Sequence, residues 1–125
     1  MRVTVTAICE NQVYVNTDIG IIYGVWCSNE PVELKEYELE LDCDEIITSD
    51  KISFSNSPQP FVSSCGGMVI LNGIVEDIQE KVLFLRLSQD IVMLEVSSNF
   101  DITAYLHKFV RIYLSKLNLY DIGLL

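Results

Sequence analysis

Apolar and polar residues alternate with a period of two through most of this chain, and this constrains its fold more than any other feature. Successive side chains of a β-strand point to opposite faces, so alternating segments rich in Val, Ile, Leu, Tyr and Phe are predicted to be half-buried strands. Two-residue connections such as Glu10-Asn11 favour antiparallel neighbours in a meander. The predicted strands are residues 2–9, 12–17, 20–27, 37–43, 68–78, 81–87, 91–96 and 109–120.

Three segments interrupt the alternation. Asn29 and Pro31 are suited to the start of a short helical turn, and the residues after Ser98 carry apolar side chains at helical spacing. Residues 53–67 are rich in Ser, Pro and Gly, which is typical of an irregular loop. We therefore expect one or two short helical turns and a long loop over 53–67.

The two parts of the chain on either side of this loop resemble each other. Residues 1–29, aligned without a gap on residues 71–99, share six identities with them. The identical pairs are Val5 and Val75, Ile8 and Ile78, Glu10 and Glu80, Ile21 and Ile91, Ser28 and Ser98, and Asn29 and Asn99. The sequence thus predicts a single domain over 1–125, built from related halves at roughly 1–52 and 68–125.

The order of the predicted elements resembles part of a known fold. Over residues 68–121, three strands, a helical turn and a returning strand are similar to the OB-fold plan, a small Greek-key barrel. Gly73 lies where a bulge would help the first of these strands to curl. Two halves packed as one sandwich have the same element order. The predicted fold class is all-β, an antiparallel meander that forms an OB-like barrel or sandwich.

The segment EYELELDCD, residues 36–44, has an acidic residue at every second position. The acidic set, which we call the acidic ladder, consists of Glu36, Glu38, Glu40, Asp42 and Asp44. The opposite face carries Tyr37, Leu39, Leu41 and Cys43. One interpretation is an edge strand protected from aggregation by charge. The other is a binding surface for a basic partner, with Trp26 and Tyr37 as aromatic anchors if they are exposed, and as core residues if they are not.

The charge balance narrows the choice of partner. The formal net charge is −10, and residues 1–50 contain 11 acidic residues against two basic ones. Such a chain repels nucleic acid and anionic membranes, so neither is expected as a direct ligand. In type, the chain is similar to small acidic bacterial immunity proteins, a resemblance that implies an inhibitor occupying the basic groove of a toxin nuclease. The first residues resemble no secretory signal, and no apolar run is long enough to span a bilayer, so we expect a cytoplasmic protein.

Candidate catalytic or metal-binding residues are few. The common nucleotide-binding, hydrolase and metalloprotease motifs are absent, and the single histidine, His107, follows a predicted helical turn. Cys65 precedes two glycines but has no base assigned to it by the sequence. The four cysteines show no C-x-x-C spacing, and we expect them to be buried and reduced, with a disulfide framework as the alternative. We predict no enzymatic activity, no metal and no cofactor.

These observations favour a protein-binding module that acts through its acidic strand. Two alternatives come from other functional classes. One is a structural or assembly subunit that pairs through exposed strand edges such as residues 109–120. The other is an OB-type binder of a small ligand or oligosaccharide. The sequence leaves the partner and the oligomeric state open.

Overall fold

The computed structural model describes residues 1–123 as an all-β structure of eleven strands with two isolated 3-10 turns. The turns are Ser49–Lys51 and Thr103–Tyr105. The all-β fold class with an OB-like barrel is confirmed, but the closed barrel is formed mainly by strands within residues 2–42 and not by those of residues 68–121. Leu124 and Leu125 of the predicted second half lie outside the described residues. The strands are β1 (Arg2–Cys9), β2 (Gln12–Thr17), β3 (Gly20–Trp26), β4 (Glu36–Asp42), β5 (Ile52–Phe54), β6 (Phe61–Cys65), β7 (Met68–Gln79), β8 (Val82–Leu87), β9 (Asp90–Glu95), β10 (Phe109–Leu114) and β11 (Asn118–Asp121).

Five strands form a closed barrel in the order β1-β2-β3-β11-β4. The alternation of the sequence turns one face of each strand inward, so Val3, Val13, Ile22 and Leu39 are almost fully buried. β11 pairs antiparallel with β4 and parallel with β3, and β1 pairs with β4 to close the ring. The strand that completes the barrel therefore comes from the far end of the chain.

The remaining six strands form a second sheet in the order β5-β10-β7-β8-β9, with β6 paired to the first part of β7. Leu71, Leu85, Leu94 and Ile112 point to its buried face and are fully inaccessible to solvent. The buried apolar side chains of the barrel and of this sheet belong to one continuous hydrophobic core.

The two halves of the chain have the same strand pairing. In each, three strands form a meander, and the first of them also pairs with the fourth: β1 with β4, and β7 with β10. Both first strands have a register irregularity, both first hairpins contain a glutamate with positive φ, and both third strands end on the same backbone hydrogen bond. Each of these shared features lies at positions that correspond in the sequence alignment of the halves. The irregularity is at Thr6 and Glu76, and the positive φ is at Glu10 and Glu80. The shared hydrogen bond joins Trp26 N to Asn11 O in the first half and Val96 N to Lys81 O in the second.

The halves exchange their last segments. After β4 the chain crosses to the second sheet, where Ile47 forms a parallel bridge with Val96 and β5 pairs with β10. After β10 the chain crosses back, and Leu119 of β11 lies parallel to Trp26 of β3. Each half is thus completed by a segment of the other, which ties the two sheets together at both ends.

Several local expectations were wrong. Residues 53–67 are not one irregular loop, because β6 forms within them and buries Val62. The segment after Asn29 forms a turn at Glu33 and Leu34 but no helical turn, whereas the helical turn expected after Ser98 is present at Thr103–Tyr105. The predicted strand 109–120 is two strands, β10 and β11, separated at residues 115–117, where the chain leaves one sheet for the other.

The cysteines are also placed differently from the prediction. All four are free thiols, and three are exposed rather than buried: Cys9, Cys27 and Cys65. Only Cys43 is partly covered, and its burial, the main cause, raises the pKa of its thiol to about 11. Parity predicted a buried Cys9, but the register irregularity after Val5 reverses which side chains face the core, so Ala7 and Cys9 are exposed and Ile8 packs against the core instead.

Candidate functional site

The acidic ladder lies on a strand in the middle of the barrel wall. β4 is paired with β1 on one side and with β11 on the other. Leu39 shows both contacts, since it exchanges backbone hydrogen bonds with Met1 and lies opposite Asp121. The interpretation of this strand as an edge strand is therefore wrong, although each side of β4 is paired over only part of its length: Glu36–Glu38 with β1 and Leu39–Asp42 with β11.

The alternation seen in the sequence is kept in the structure. Tyr37, Leu39 and Leu41 face the core, whereas the acidic residues face outward. Glu36, Glu40 and Asp44 are exposed, and Glu38 and Asp42 are half-buried. Asp44 lies two residues beyond the end of the strand and next to Asp42, so it extends the row of carboxylates along this outer face.

Few protein groups compensate this row of charge. Asp44 accepts a hydrogen bond of 2.8 Å from the side-chain amide of Asn118, and Glu38 lies 3.5 Å from the Met1 nitrogen. Within residues 1–123, no lysine or arginine side chain forms an ion pair with a ladder carboxylate. Arg2 is opposite Glu38 in the register but does not pair with it, and Lys35 lies instead over a tyrosine ring.

The pKa of Asp42 shows most clearly the effect of placing these carboxylates next to one another. Partial burial and the nearby charge of Asp44 raise the pKa of the Asp42 carboxyl group, and Glu40 adds to the effect. Ionised Asp42 therefore costs the free protein stability at neutral pH. A positive charge brought next to it would offset that cost.

Glu45, just beyond the ladder, has a different role. Its carboxylate accepts hydrogen bonds of 2.6 Å from both the backbone nitrogen and the hydroxyl of Ser115, and one of 3.1 Å from Lys51. Burial by itself raises the pKa of Glu45, but these bonds outweigh it and leave the pKa below its usual value. This acid holds together the two crossing segments that connect the halves, so it is structural.

Trp26 and Tyr37, the candidate aromatic anchors, are core residues. They are only 7% and 4% exposed, and their rings meet edge to face with centroids 4.8 Å apart. The Trp26 indole donates to the Asn29 carbonyl, and the Tyr37 hydroxyl accepts from the Val32 nitrogen at 3.0 Å. The surface exposure required of an anchor is absent for both.

Other apolar side chains lie beside the ladder instead. Tyr120 of β11 is directly opposite Glu40 and is 38% exposed, and Ile122 is 42% exposed. The sequence places both near the end of the chain, and only the long-range pairing of β11 with β4 brings them to this surface. No local pattern could have identified them.

A cleft of about 560 Å³ opens beside Glu38 of the ladder, between the start of β1 and the turn before β9. We call it the acidic cleft. Asp90 Oδ1 lies there 2.9 Å from the Met1 nitrogen, and a shallower groove of about 180 Å³ continues from it along Glu40 and Val92. The residues that line the acidic cleft are Met1, Arg2, Asp18, Glu38, Ser88, Gln89 and Asp90.

Other kinds of site find no support in the described part of the chain. No group of three or more His, Cys, Asp and Glu side chains in residues 1–123 is arranged to hold a metal ion. His107 has positive φ and its backbone nitrogen donates to Val75, as the equivalent Leu34 does to Val5, which indicates a turn geometry shared by the halves. None of the helical segments in the described residues has the length and apolar character needed to cross a membrane.

The comparisons with known proteins leave the site to be judged on its geometry. None of the protein-family models, curated proteins or solved structures compared with the chain matches it.

Proposed function

We propose that this protein is an acidic binding module that uses the outer face of β4 to bind a basic surface on another protein. One observation carries the proposal: four carboxylates lie in a row on β4, between β1 and β11, with Asp44 just beyond them, and none forms an ion pair with a lysine or arginine side chain in the described residues. Alternate side chains on a strand are about 6.6 Å apart, so the row repels itself in the free protein.

The position of β4 supports binding. A strand in the middle of a barrel wall holds its side chains at fixed spacing, so a partner does not have to order the backbone first. The row of like charge would steer a basic partner and speed its association. Tyr120 and Ile122, beside the row, add apolar area that would be buried in the complex.

The more specific form of the proposal is an immunity-type inhibitor that occupies the basic groove of a toxin nuclease. A rigid array of carboxylates presents to such a groove the negative charge that the groove otherwise takes from a phosphate backbone. In this role the protein binds and does not catalyse, and its compartment would be the cytoplasm, where such an enzyme does its damage.

The alternatives have weaker support. Assembly through residues 109–120 has little free edge to use, because β10 is paired with β7 and, at its centre, with β5, while β11 is paired within the barrel. A small-ligand or oligosaccharide binder would be expected to have an aromatic concave pocket, whereas the acidic cleft has no aromatic residue in its lining.

The test compares three immobilised proteins: wild type, the ladder variant E36Q/E38Q/E40Q/D42N, and a control variant E30Q/E33Q/E80Q/E95Q. The control removes the same formal charge from four exposed glutamates outside the ladder. Proteins captured from a lysate of the source organism are identified, purified and titrated against each bait at low and high salt.

We expect wild type and the control to capture the same basic protein and to block its binding to nucleic acid. The ladder variant should bind it at least about tenfold more weakly, and salt should weaken the wild-type complex steeply. Equal affinity of the ladder variant and wild type would contradict the proposal. A partner that binds equally well at high salt would contradict it too.

A further inference from the structure

One polar side chain of the second sheet is fully buried although it faces outward. Asn72 lies on the opposite face of β7 from Leu71, which points into the core, and yet it is 0% exposed. The segment between β5 and β6 covers it, and the Asn72 Nδ2 atom donates to the carbonyl oxygens of Ser57 and Gln59 at 3.3 and 2.9 Å. We call this segment, residues 55–60, the arch. Asn72 therefore fastens the arch to the sheet.

The side-chain oxygen of Asn72 is a buried acceptor that no group in the described residues satisfies. The amide cannot be turned round to give this oxygen a partner, because the nitrogen is needed as the donor to the two carbonyl groups of the arch. Buried polar atoms in folded proteins are almost always hydrogen-bonded, since an unpaired one has lost its water without compensation. A hydrogen-bond donor is therefore expected beside Asn72 Oδ1.

Arg111 of β10 carries a complementary unpaired group at the same place. It is the register partner of Asn72, and its Nε–H group is buried without an acceptor among the described residues. None of the ion pairs within residues 1–123 includes Arg111, although the chain has 18 acidic residues. Its guanidinium packs instead against the Phe61 ring, 5.3 Å from the ring centre. A buried donor and a buried acceptor, both unpaired, thus lie on adjacent strands.

The two unpaired groups belong to a row of side chains that crosses four strands. Phe61 in β6 is opposite Asn72, Asn72 is opposite Arg111, and Arg111 is opposite Ser53 in β5. The arch runs from the end of β5 to the start of β6, so it crosses above this row. Opposite residues on antiparallel strands have Cβ atoms about 4.5–5.5 Å apart. One small molecule with a hydrogen bond of about 2.8 Å to each group spans up to about 5.6 Å, which matches this spacing.

We propose that a buried water molecule binds beneath the arch and bridges Asn72 and Arg111. It donates one hydrogen to Asn72 Oδ1 and accepts the Nε–H of Arg111, so a single ligand satisfies both groups. Water has the required chemistry, because it is a donor and an acceptor at once and is small enough for a covered site. An anion would accept from Arg111 but would be repelled by the oxygen of Asn72, and a metal cation would suit the oxygen but not the guanidinium.

The water gives the arch a second connection to the sheet. Asn72 Nδ2 binds the arch directly, and the water joins the same amide group to Arg111 in β10. It also accounts for an arginine that buries its Nε atom without a carboxylate partner. The acidic ladder belongs to β4 of the barrel, so this inference goes beyond the proposed function and does not depend on it.

The test compares crystal structures of the full chain as wild type and as two variants of Arg111. R111Q keeps an N–H donor at the position along the side chain where arginine has Nε, whereas R111M has a methyl group there. Both variants lose the positive charge and the contact of the guanidinium with Phe61, so the comparison between them isolates the donor. In solution, cross-relaxation between water and the Arg111 Nε–H proton is measured on ¹⁵N-labelled wild type, in the laboratory frame and in the rotating frame.

We expect wild type to show one water within about 2.6–3.2 Å of both Asn72 Oδ1 and Arg111 Nε. The same water should be present in R111Q and absent from R111M, where Asn72 alone would have to hold it. The cross-relaxation should have opposite signs in the two frames, as it does for a bound water that tumbles with the protein. Amide spectra report whether each variant is folded, and wild type and R111Q decide the question if R111M does not fold.

The inference is overturned if wild type shows Asn72 Oδ1 and Arg111 Nε bonded to each other or to other protein groups with no water between them. A water equally occupied in R111M would overturn it too, because Arg111 would then not be one of its ligands, and so would the loss of the water from R111Q. An anion at this position, recognised by its greater electron density, would contradict the choice of water. Cross-relaxation of the same sign in both frames would contradict a bound water in solution.

Discussion

The acidic ladder should lower the stability of the free protein, and the size of this effect follows from its geometry. Neighbouring carboxylates on one face of a strand lie about 6.6 Å apart, where two unit charges repel by about 0.6 kcal/mol in a medium as polar as water. The row Glu36, Glu38, Glu40 and Asp42 contains three such neighbouring pairs. The Met1 ammonium group, 3.5 Å from the Glu38 carboxylate, offsets part of the repulsion. We therefore expect E36Q/E38Q/E40Q/D42N to raise the free energy of unfolding by about 1 kcal/mol at low salt.

Urea unfolding at neutral pH measures this difference. At about 0.01 M salt the Debye length is about 30 Å, so the midpoint of the variant should exceed that of wild type by several tenths of a molar. At about 1 M salt the Debye length is about 3 Å and the difference should nearly vanish. The control E30Q/E33Q/E80Q/E95Q changes the formal net charge equally and should gain less, because its four sites do not form one row along a strand.

Two results would refute this reasoning. A ladder variant less stable than wild type at low salt would show that the carboxylates make structural contacts, in the way that Glu45 does. A gain that persisted at high salt would show that its cause is not repulsion between charges.

Three further perturbations test other parts of the structure. G20A should lower the free energy of unfolding, measured by urea unfolding, by more than about 3 kcal/mol, because φ of Gly20 is +140° and the new Cβ would clash with the Val62 carbonyl. A loss below about 1 kcal/mol would contradict this close packing of β6. E45Q should lower the free energy of unfolding by about 1–3 kcal/mol. Because the pKa of Glu45 is depressed in the folded state, this difference should be complete above about pH 5 and should disappear as the pH falls through the folded-state pKa. A difference independent of pH between about 3 and 7 would contradict the assigned hydrogen bonds. In the native protein a thiol reagent should modify the three exposed cysteines rapidly and Cys43 slowly, as measured by mass spectrometry of the labelled chain. Equal rates for all four cysteines would contradict the burial of the Cys43 thiol.

The sequence predicted the elements that depend on local pattern. Alternation identified β1, β2, β3 and β7 to within a residue or so of their bounds, because each strand buries one face against the core and this leaves a period of two in the sequence. The relation between the two halves was visible mainly outside the core, because among the identical pairs only Val5 and Val75 are fully buried, whereas pairs such as Ile21 and Ile91 are exposed.

What the sequence did not predict depends on pairing between distant segments. β6 has little alternation of its own, with Val62 its one buried side chain, and it is a strand because β7 and β3 lie on either side of it. The exchange of segments depends on Ile47 reaching Val96, which is far from it along the chain, and no local signal encodes such a contact. Trp26 and Tyr37 were ambiguous from the sequence because an aromatic residue suits a core and an interface equally well.

The pairing of β4 also decides what its charge can mean. On an edge strand, a row of carboxylates would have a structural explanation, since charge prevents pairing with other chains. β11 removes that explanation by pairing with β4 from the far end of the chain, and the row remains although it repels itself. The same pairing fixes Leu39 and Leu41 in the core, so the carboxylates above them keep their spacing without any partner. A surface that costs stability and is held rigid by long-range contacts is arranged as a preorganised binding site would be, because the ordering cost of association has been met by folding.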